Sequence, residues 1–355
     1  MRSVPIFKFL PELESQWISL IDKATPVYQL KKFSSDFNHS KLYVKREDLT
    51  SELYGGNKVR NLEFLLGQAK YRGADNILSL APLGSNFVAA LAAQAQKVEI
   101  PVKCYHFEPH LSEQMIKHAY YSKAVGAQLK TYRGGYLPSL FQSTLHFSSD
   151  VLFNHQNSFV MPTGGSSLSG AMGHVNAFLE MLEQVEQDEI PCPDYLVVGA
   201  GTCGTIAGLL AAKILTNHPV NIVGVRCVDK IICNKWNISR LCNQVLTSLG
   251  SDRRIKFSEI NLVDNGAVKY GQADGDAVNL MKSISHSEGI SLDTTYTTKV
   301  VSYLTKLMSR ADLKNANFLY WHTFSNVAMS GVLKDIRLLN SPTSTDSMQL
   351  SVLLK

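Results

Sequence analysis

Lys58 is the first residue whose type and setting point to chemistry. It stands in Tyr54-Gly55-Gly56-Asn57-Lys58-Val59-Arg60-Asn61. An extended run, residues 41–47 (KLYVKRE), leads through Asp48, Leu49 and Thr50 to the paired glycines. A helical pattern then follows, with Leu62, Phe64, Leu65, Leu66 and Ala69 as its apolar positions. Lys58 therefore falls at a helix N-terminus, where amide dipoles and the nearby Arg60 disfavour a resting ammonium and favour anions. A lysine in that place is a phosphate or carboxylate clamp, or an amine available for imine chemistry. The plain alternative is a solvated lysine on a first helical turn.

The second chemical signal is Val197-Val198-Gly199-Ala200-Gly201-Thr202-Cys203-Gly204-Thr205. A buried strand runs into small residues and then into a helix. Successive backbone N–H groups there form an anion cradle, reinforced by the helix N-terminus and by threonine hydroxyls. Gly199, Gly201 and Gly204 also satisfy G-x-G-x-x-G, with Asp229 at the end of the next strand as a ribose partner, so a nicotinamide- or flavin-dependent oxidoreductase is a rival reading. A tight strand-to-helix crossover with no ligand is the third.

These loops need strands and helices to hold them. Residues 76–80, 101–107, 128–132, 158–161, 194–198, 221–228 and 317–321 read as strands. Helical patterns cover residues 59–72, 87–97, 112–125, 137–149, 171–187, 206–215, 240–249 (with Ser239 as its cap), 276–288 and 299–311, and another starts near Val327. Residues 162–170 and 266–275 read as loops. Strand-loop-helix repetition implies parallel sheets with helices on their faces. The rhythm recurs on both sides of residue 160, which predicts two open α/β lobes with a cleft between them. In such sheets ligands sit outside the carboxyl ends of strands.

Composition sets the frame. A chain of 355 residues, 45% apolar and 18% charged, has room for two lobes and reads as an ordinary globular protein. Its net charge of +5 is scattered without a basic block, so nucleic acid is not implied. The six cysteines form no CxxC pair, so neither a disulfide framework nor a metal site is expected. No apolar run reaches membrane-spanning length, and the first residues lack the apolar core of a signal peptide; a cytoplasmic protein is the expectation.

Taken together, KRED followed by GGNK-x-R, the Ser85-Asn86 loop, the glycine loop and the late Tyr296-Thr297 pair resemble the fold type II pyridoxal-phosphate enzymes. The branch most similar is that of 1-aminocyclopropane-1-carboxylate deaminase and D-cysteine desulfhydrase, and the resemblance runs from about Thr25 to about Gly331. It implies a tryptophan synthase β-like α/β fold of two α/β/α lobes. Residues 1–55 plus 162–355 would form the large cofactor-binding domain, with 56–161 as a small domain inserted in it. It also implies pyridoxal 5'-phosphate as cofactor, a small amino acid as substrate and a homodimer. Lys58 matches the Schiff-base lysine that also moves the α-proton, with Asn57 and Arg60 in support. Asn86 would contact the ring hydroxyl and Ser85 the substrate carboxylate. Gly201, Thr202, Cys203, Gly204 and Thr205 would hold the phosphate, Thr297 would face the pyridine nitrogen, and Tyr296 and Tyr270 would stand on the substrate side. A neutral hydroxyl at the ring nitrogen makes a weaker electron sink than a carboxylate, which suits β-elimination of a good leaving group such as thiolate. The expected reaction is α,β-elimination to a 2-oxo acid and ammonia, with sulfide if the substrate is D-cysteine. Cyclopropane deamination and a cofactor-binding protein with altered turnover are the alternatives.

The sequence departs from the family pattern at several places. Gly84 stands where glutamine is common, and Phe87 where a polar residue is usual. His322-Thr323-Phe324-Ser325 replaces a His-Thr-Gly-Gly run, Thr294 a proline and Thr298 a glycine, and Cys203 enters the phosphate loop. The lysine and the cradle are retained. Phe87 and Phe324 add bulk on the substrate side.

Overall fold

A computed structural model describes residues 2–39, 41–108, 113–153, 157–264 and 275–325. The chain begins with β1 (Val27–Gln29), α1 (Lys31–Ser35) and β2 (Leu42–Arg46). Then come α2 (Lys58–Tyr71), β3 (Asn76–Pro82), α3 (Asn86–Ala95), β4 (Val102–Phe107), α4 (Glu113–Ala124), β5 (Gln128–Thr131), α5 (Tyr136–Phe153) and β6 (Ser158–Met161). The second half holds α6 (Leu168–Glu186), β7 (Tyr195–Ala200), α7 (Gly204–Leu215), β8 (Asn221–Arg226) and α8 (Lys235–Ser248). It closes with β9 (Asn261–Asp264), α9 (Gly275–Glu288), α10 (Thr297–Met308) and β10 (Phe318–His322).

Two sheets result. One has the order β1-β2-β10-β7-β8-β9, the other β5-β4-β3-β6. Every pairing is parallel except β1 with β2. In the larger sheet β10 lies between β2 and β7, in register Phe318 to Leu42 and Phe318 to Tyr195. The last core strand thus zips the first part of the chain to the middle.

Strand alternation explains the layering, because successive side chains point to opposite faces. Leu196, Val198, Leu319 and Trp321 join a core with α6, α7 and α8. Val197, Phe318 and Tyr320 join a second core with residues of α9 and α10. The smaller sheet packs against α2 and the alanine-rich α3 in a third. Helix α2 also crosses α6 so closely that a Cβ on Gly173 would lie 1.9 Å from the Arg60 carbonyl oxygen. Only glycine admits that approach.

The sequence reading misses β9, a half-buried strand of four residues whose apolar signal is too short to stand out. It starts α8 five residues late. The cap is Asn234, whose side chain accepts from the Asn237 N–H, and Ser239 lies inside the helix. The loop expected at 266–275 lies outside the described residues up to 274, with Gly275 opening α9, and the helix expected near Val327 and Tyr270 lie outside them too. Among the described residues no helix is long and apolar enough to cross a membrane.

A buried ionic network ties α2 to the larger sheet. Arg60 Nε and Nη2 donate to Glu47, at 2.9 and 2.8 Å. Nη1 and Nη2 donate to Glu180, both at 2.8 Å. Lys45 Nζ donates to Glu180 at 2.7 Å and to the Thr25 carbonyl at 2.9 Å. Burial opposes the Arg60 charge, yet Glu180 and Glu47 together hold its guanidinium well above the ordinary value. Arg60 and Lys45 in turn pull the Glu180 carboxyl down against its own burial. Ions paired this closely are compensated in place. Arg60 therefore faces away from any anion in the cleft, contrary to its expected supporting place beside Lys58.

Candidate active site

The carboxyl ends of β3, β6, β7 and β10, together with the segment that follows β2, meet at one cavity. Tyr54 to Lys58 line it, as do Ser85, Asn86 and Phe87 after β3 and Thr163 and Gly164 after β6. The cradle from Gly199 to Ile206, then Asp293, Tyr296 and residues 323–325, complete the lining. Loops that are distant in sequence converge because parallel strands all end on one edge.

Lys58 is the first residue of α2, and its Nζ donates to the Gly164 carbonyl oxygen at 3.0 Å. Burial pushes its ammonium down to about 8, with Cys203 pulling the other way. A half-buried amine that has no carboxylate partner among the described residues loses its proton more readily than a solvated one. The preceding loop is pinned from two sides. The Asn57 N–H donates to the Thr323 carbonyl at 3.2 Å, and the Gly55 N–H donates to Ser325 Oγ at 3.1 Å.

Ser85 is the N-cap of α3 by position, yet its hydroxyl makes no capping bond. Ser85 and Asn86, at the N-terminus of α3, line the same cavity as Lys58. His118 braces this turn. Its Nδ1 bonds the Gly84 carbonyl at 3.2 Å and its Nε2 bonds Tyr54 OH at 3.3 Å. Burial holds the His118 imidazole neutral, down to about 4. Phe87 lines the cavity beside Gly165, where a Cβ would come 2.8 Å from the Phe87 ring.

The cradle has the shape expected of Gly201–Thr205. Helix α7 starts at Gly204, and Cys203 caps it in the left-handed region with φ of 72°. The Cys233 thiol bonded to Cys203 holds the Cys203 thiol below its ordinary value. A Cβ on Gly201 would lie 3.1 Å from the Tyr296 ring, and one on Gly204 2.8 Å from Ser166 Oγ. Small residues are thus required if N–H groups are to stay open to an anion. Ser166, to which the sequence reading gave no role, accepts the Gly204 N–H at 3.1 Å and donates to Thr202 Oγ1 at 2.6 Å. Its signal was available: Thr163-Gly164-Gly165-Ser166-Ser167 is a second Gly/Ser turn at a strand end.

Thr297 departs from expectation. It is fully buried and does not line the cavity. Its hydroxyl donates to Asp293 Oδ1 at 2.6 Å. The same carboxylate accepts the N–H groups of Thr295, Tyr296 and Thr297 at 3.1, 3.0 and 2.8 Å. A carboxylate at a helix N-terminus is the stronger acceptor and draws the hydroxyl to itself. The acidic group at this part of the wall is Asp293, missed because the sequence reading looked to the threonine.

The structure therefore gathers Lys58, Ser85, Asn86, Gly201 to Thr205 and Tyr296 around one cavity and leaves Thr297 behind Asp293. An amine of lowered basicity and a glycine-rich strand-to-helix turn on one cavity suit a phosphorylated carbonyl compound.

Comparison with known proteins points the same way. The model of the pyridoxal-phosphate dependent enzyme family matches residues 18–323. A Pyrococcus abyssi protein provisionally named as a 1-aminocyclopropane-1-carboxylate deaminase is 30% identical over 309 residues, which is 86% of this chain and 90% of the relative. D-cysteine desulfhydrase of Serratia proteamaculans is 27% identical over 292 residues, 81% of this chain and 86% of the relative. A crystal structure of a 1-aminocyclopropane-1-carboxylate deaminase homologue superposes with a TM-score of 0.79 at 25% identity, covering 94% of this chain and 99% of that one. Threonine deaminase isoform 2 of Solanum lycopersicum shares the fold, with a TM-score of 0.62 at 15% identity over 95% of this chain and 88% of its own. With an amine of lowered basicity and a glycine loop on one cavity, and a family match over residues 18–323, this protein belongs to the pyridoxal-phosphate-dependent enzymes of fold type II.

Proposed function

We propose that the enzyme catalyses α,β-elimination on a small amino acid, releasing a 2-oxo acid and ammonia, with thiolate as the leaving group. The observation that carries this reading is Lys58 Nζ, held by the Gly164 carbonyl at 3.0 Å and with its basicity lowered to about 8. When bound, pyridoxal phosphate supplies an aldehyde that captures amines and a ring that withdraws electrons from the substrate Cα. Lys58 Nζ takes the Cα proton, a task for which a pKa near the working pH is favourable. Ser85 Oγ and the α3 N-terminus hold the substrate carboxylate, and Asn86 orients the ring. Gly201 to Thr205 hold the phosphate. Tyr296 stands over the cradle on the substrate side, and Tyr270 is assigned to that side by family resemblance alone. Phe87 and Phe324 restrict the substrate to a small side chain and keep water from Cα.

A second reading is deamination of the cyclopropane amino acid. The Asp293 carboxylate at the wall favours it, because opening a carbon ring needs a stronger electron sink than expelling thiolate. Here Thr297 acts behind Asp293, setting the orientation of its carboxylate.

The chain is also proposed to be a cytoplasmic homodimer. Its domains are taken as 1–55 plus 162–355 and an inserted 56–161, a division supported by the strand membership of the two sheets. Light scattering tests the dimer, and limited proteolysis the division.

The deciding experiment feeds the purified protein D- and L-cysteine, D- and L-serine and 1-aminocyclopropane-1-carboxylate. Elimination yields pyruvate, with sulfide from cysteine; the second reading yields 2-oxobutanoate from the cyclopropane substrate. Borohydride should fix the cofactor to Lys58. A cofactor-loaded protein whose visible spectrum no amino acid perturbs would sink both readings.

A further inference from the structure

We infer that His174, on α6 behind the cradle, is a positioning residue for the cofactor phosphate. The inference rests on the assignment of Gly201–Thr205 as the phosphate site. It is carried by a chain of four buried side chains whose donors and acceptors can be assigned one by one.

The chain starts at Asn61. Its Nδ2 donates to the carbonyls of Gly165 and Gly170, at 3.2 and 3.1 Å. Two carbonyl acceptors fix the amide, so Oδ1 is the atom that faces His174 Nε2 at 3.0 Å. An amide oxygen only accepts, so Nε2 carries the proton. His174 Nδ1 is then the bare nitrogen, and it is buried with no partner among the described residues. Burial, Lys58 and Arg60 all disfavour a second proton on the ring and hold the imidazole neutral.

Thr205 Oγ1 lies 3.2 Å from the same Nε2. Because Nε2 already bears a proton, the threonine cannot donate to it. Asn57 Nδ2 donates to Thr205 Oγ1 from another side, at 2.8 Å. The single Nε2 proton is shared between Asn61 Oδ1 and Thr205 Oγ1, so the hydroxyl oxygen meets Asn57 Nδ2 and that shared donor, and its own proton has no acceptor in this chain of contacts. Thr205 lines the cavity in the first turn of α7. The hydroxyl is thereby committed to donate toward an anion in the cradle. A hydroxyl in water turns freely; this one is fixed by His174 and Asn57 before any ligand arrives, which lowers the ordering cost of binding. Asn57 adjoins Lys58, so the same contacts set the cradle against the amine.

The test uses full-length protein loaded with pyridoxal phosphate. In wild type labelled with [15N]histidine, the His174 resonances should report the Nε2–H form and shift when pyridoxal phosphate is added. His174→Phe should weaken cofactor affinity about tenfold, the loss of one strong hydrogen bond, and move the phosphorus-31 resonance of the bound cofactor. His174→Gln, which keeps a donor, should return affinity to within about threefold. In a Thr205→Val background, His174→Phe should add less than about twofold. An Nδ1–H tautomer in wild type overturns the inference, and this needs no variant to fold. Unchanged affinity and phosphorus-31 shift in a folded His174→Phe protein, or full additivity with Thr205→Val, also overturn it. If pyridoxal phosphate binds both wild type and Thr205→Val with the same phosphorus-31 shift, the cradle assignment itself falls, and the inference with it.

Discussion

Lys58 and Arg60 are two residues apart on the first turn of one helix, and their fates are opposite. Arg60 is enclosed by Glu47, Glu180 and Thr25, and its guanidinium charge is reinforced. Among the described residues Lys58 bonds a neutral carbonyl and no carboxylate, and desolvation moves its amine toward the uncharged form. Both are deeply placed cations at an N-terminus that repels positive charge. What separates them is a countercharge within hydrogen-bond reach: present, it makes a structural element; missing, it leaves a nucleophile or base. Charge near a helix start therefore does not identify a functional residue. The completeness of its pairing does.

Substitutions can break this contrast from either side. The largest effect is expected at Lys58. Lys58→Ala should lower kcat by about 10²–10⁴-fold, the range for removal of an acid–base group, without lowering the resistance of the apo protein to urea. Arg60→Met should do the reverse. It leaves Glu47 and Glu180 as uncompensated buried charges, and breaking such a pair costs about 3–5 kcal/mol of stability in denaturant titrations. If Arg60→Met instead spares stability and abolishes cofactor binding, the division between the two residues is wrong.

The pH dependence sharpens the same point. With the Lys58 pKa lowered to about 8, the neutral amine predominates above that value. Uptake of pyridoxal phosphate by the apo protein should slow about tenfold per pH unit below 8 and level off above it. The sign for stability follows from proton counting. Between about 8 and the ordinary lysine value of 10.5 the unfolded chain holds a proton that the folded chain does not. The Lys58 contribution to apo stability should therefore rise with pH across that window. Arg60 contributes no such slope. Comparison of wild type with Lys58→Ala by denaturant titration at several pH values isolates the term.

The smallest expected effect is at Thr297. Thr297→Val removes one hydroxyl from Asp293 and should cost about 1 kcal/mol, with a modest change in the visible spectrum of the loaded enzyme. A larger spectral change would show that the hydroxyl reaches the ring nitrogen after all.

Much of the site was legible in the sequence because its parts are local. Gly55-Gly56-Asn57-Lys58 and Gly199 to Thr205 each carry their chemistry within a few residues, and each lies between an apolar strand and a helix pattern. The parallel architecture was legible for the same reason, since strand and helix periods differ. What escaped was whatever depends on contacts across the chain. Asp293 and Thr297 are four residues apart, but their order at the cavity depends on which way α10 presents its first turn. Ser166 and His174 gain significance only where β6 and α6 meet the cradle. Strand β9 is too short and too exposed to announce itself.

The sequence by itself singled out Lys58 and the glycine loop of Gly199 to Thr205, and determined the repeating strand–helix frame and the family, because hydrophobic period, glycine placement and helix-start chemistry are properties of short stretches. Only the tertiary structure decided that Arg60 is paired with two carboxylates and Lys58 with none among the described residues, that Asp293 stands before Thr297, and that His174 lies against the Thr205 hydroxyl. Those outcomes depend on the distance and orientation of partners up to 148 residues away, as between Asn57 and Thr205. Hydrogen bonds and ion pairs act over a few ångströms of space, and separation along the chain does not set that distance.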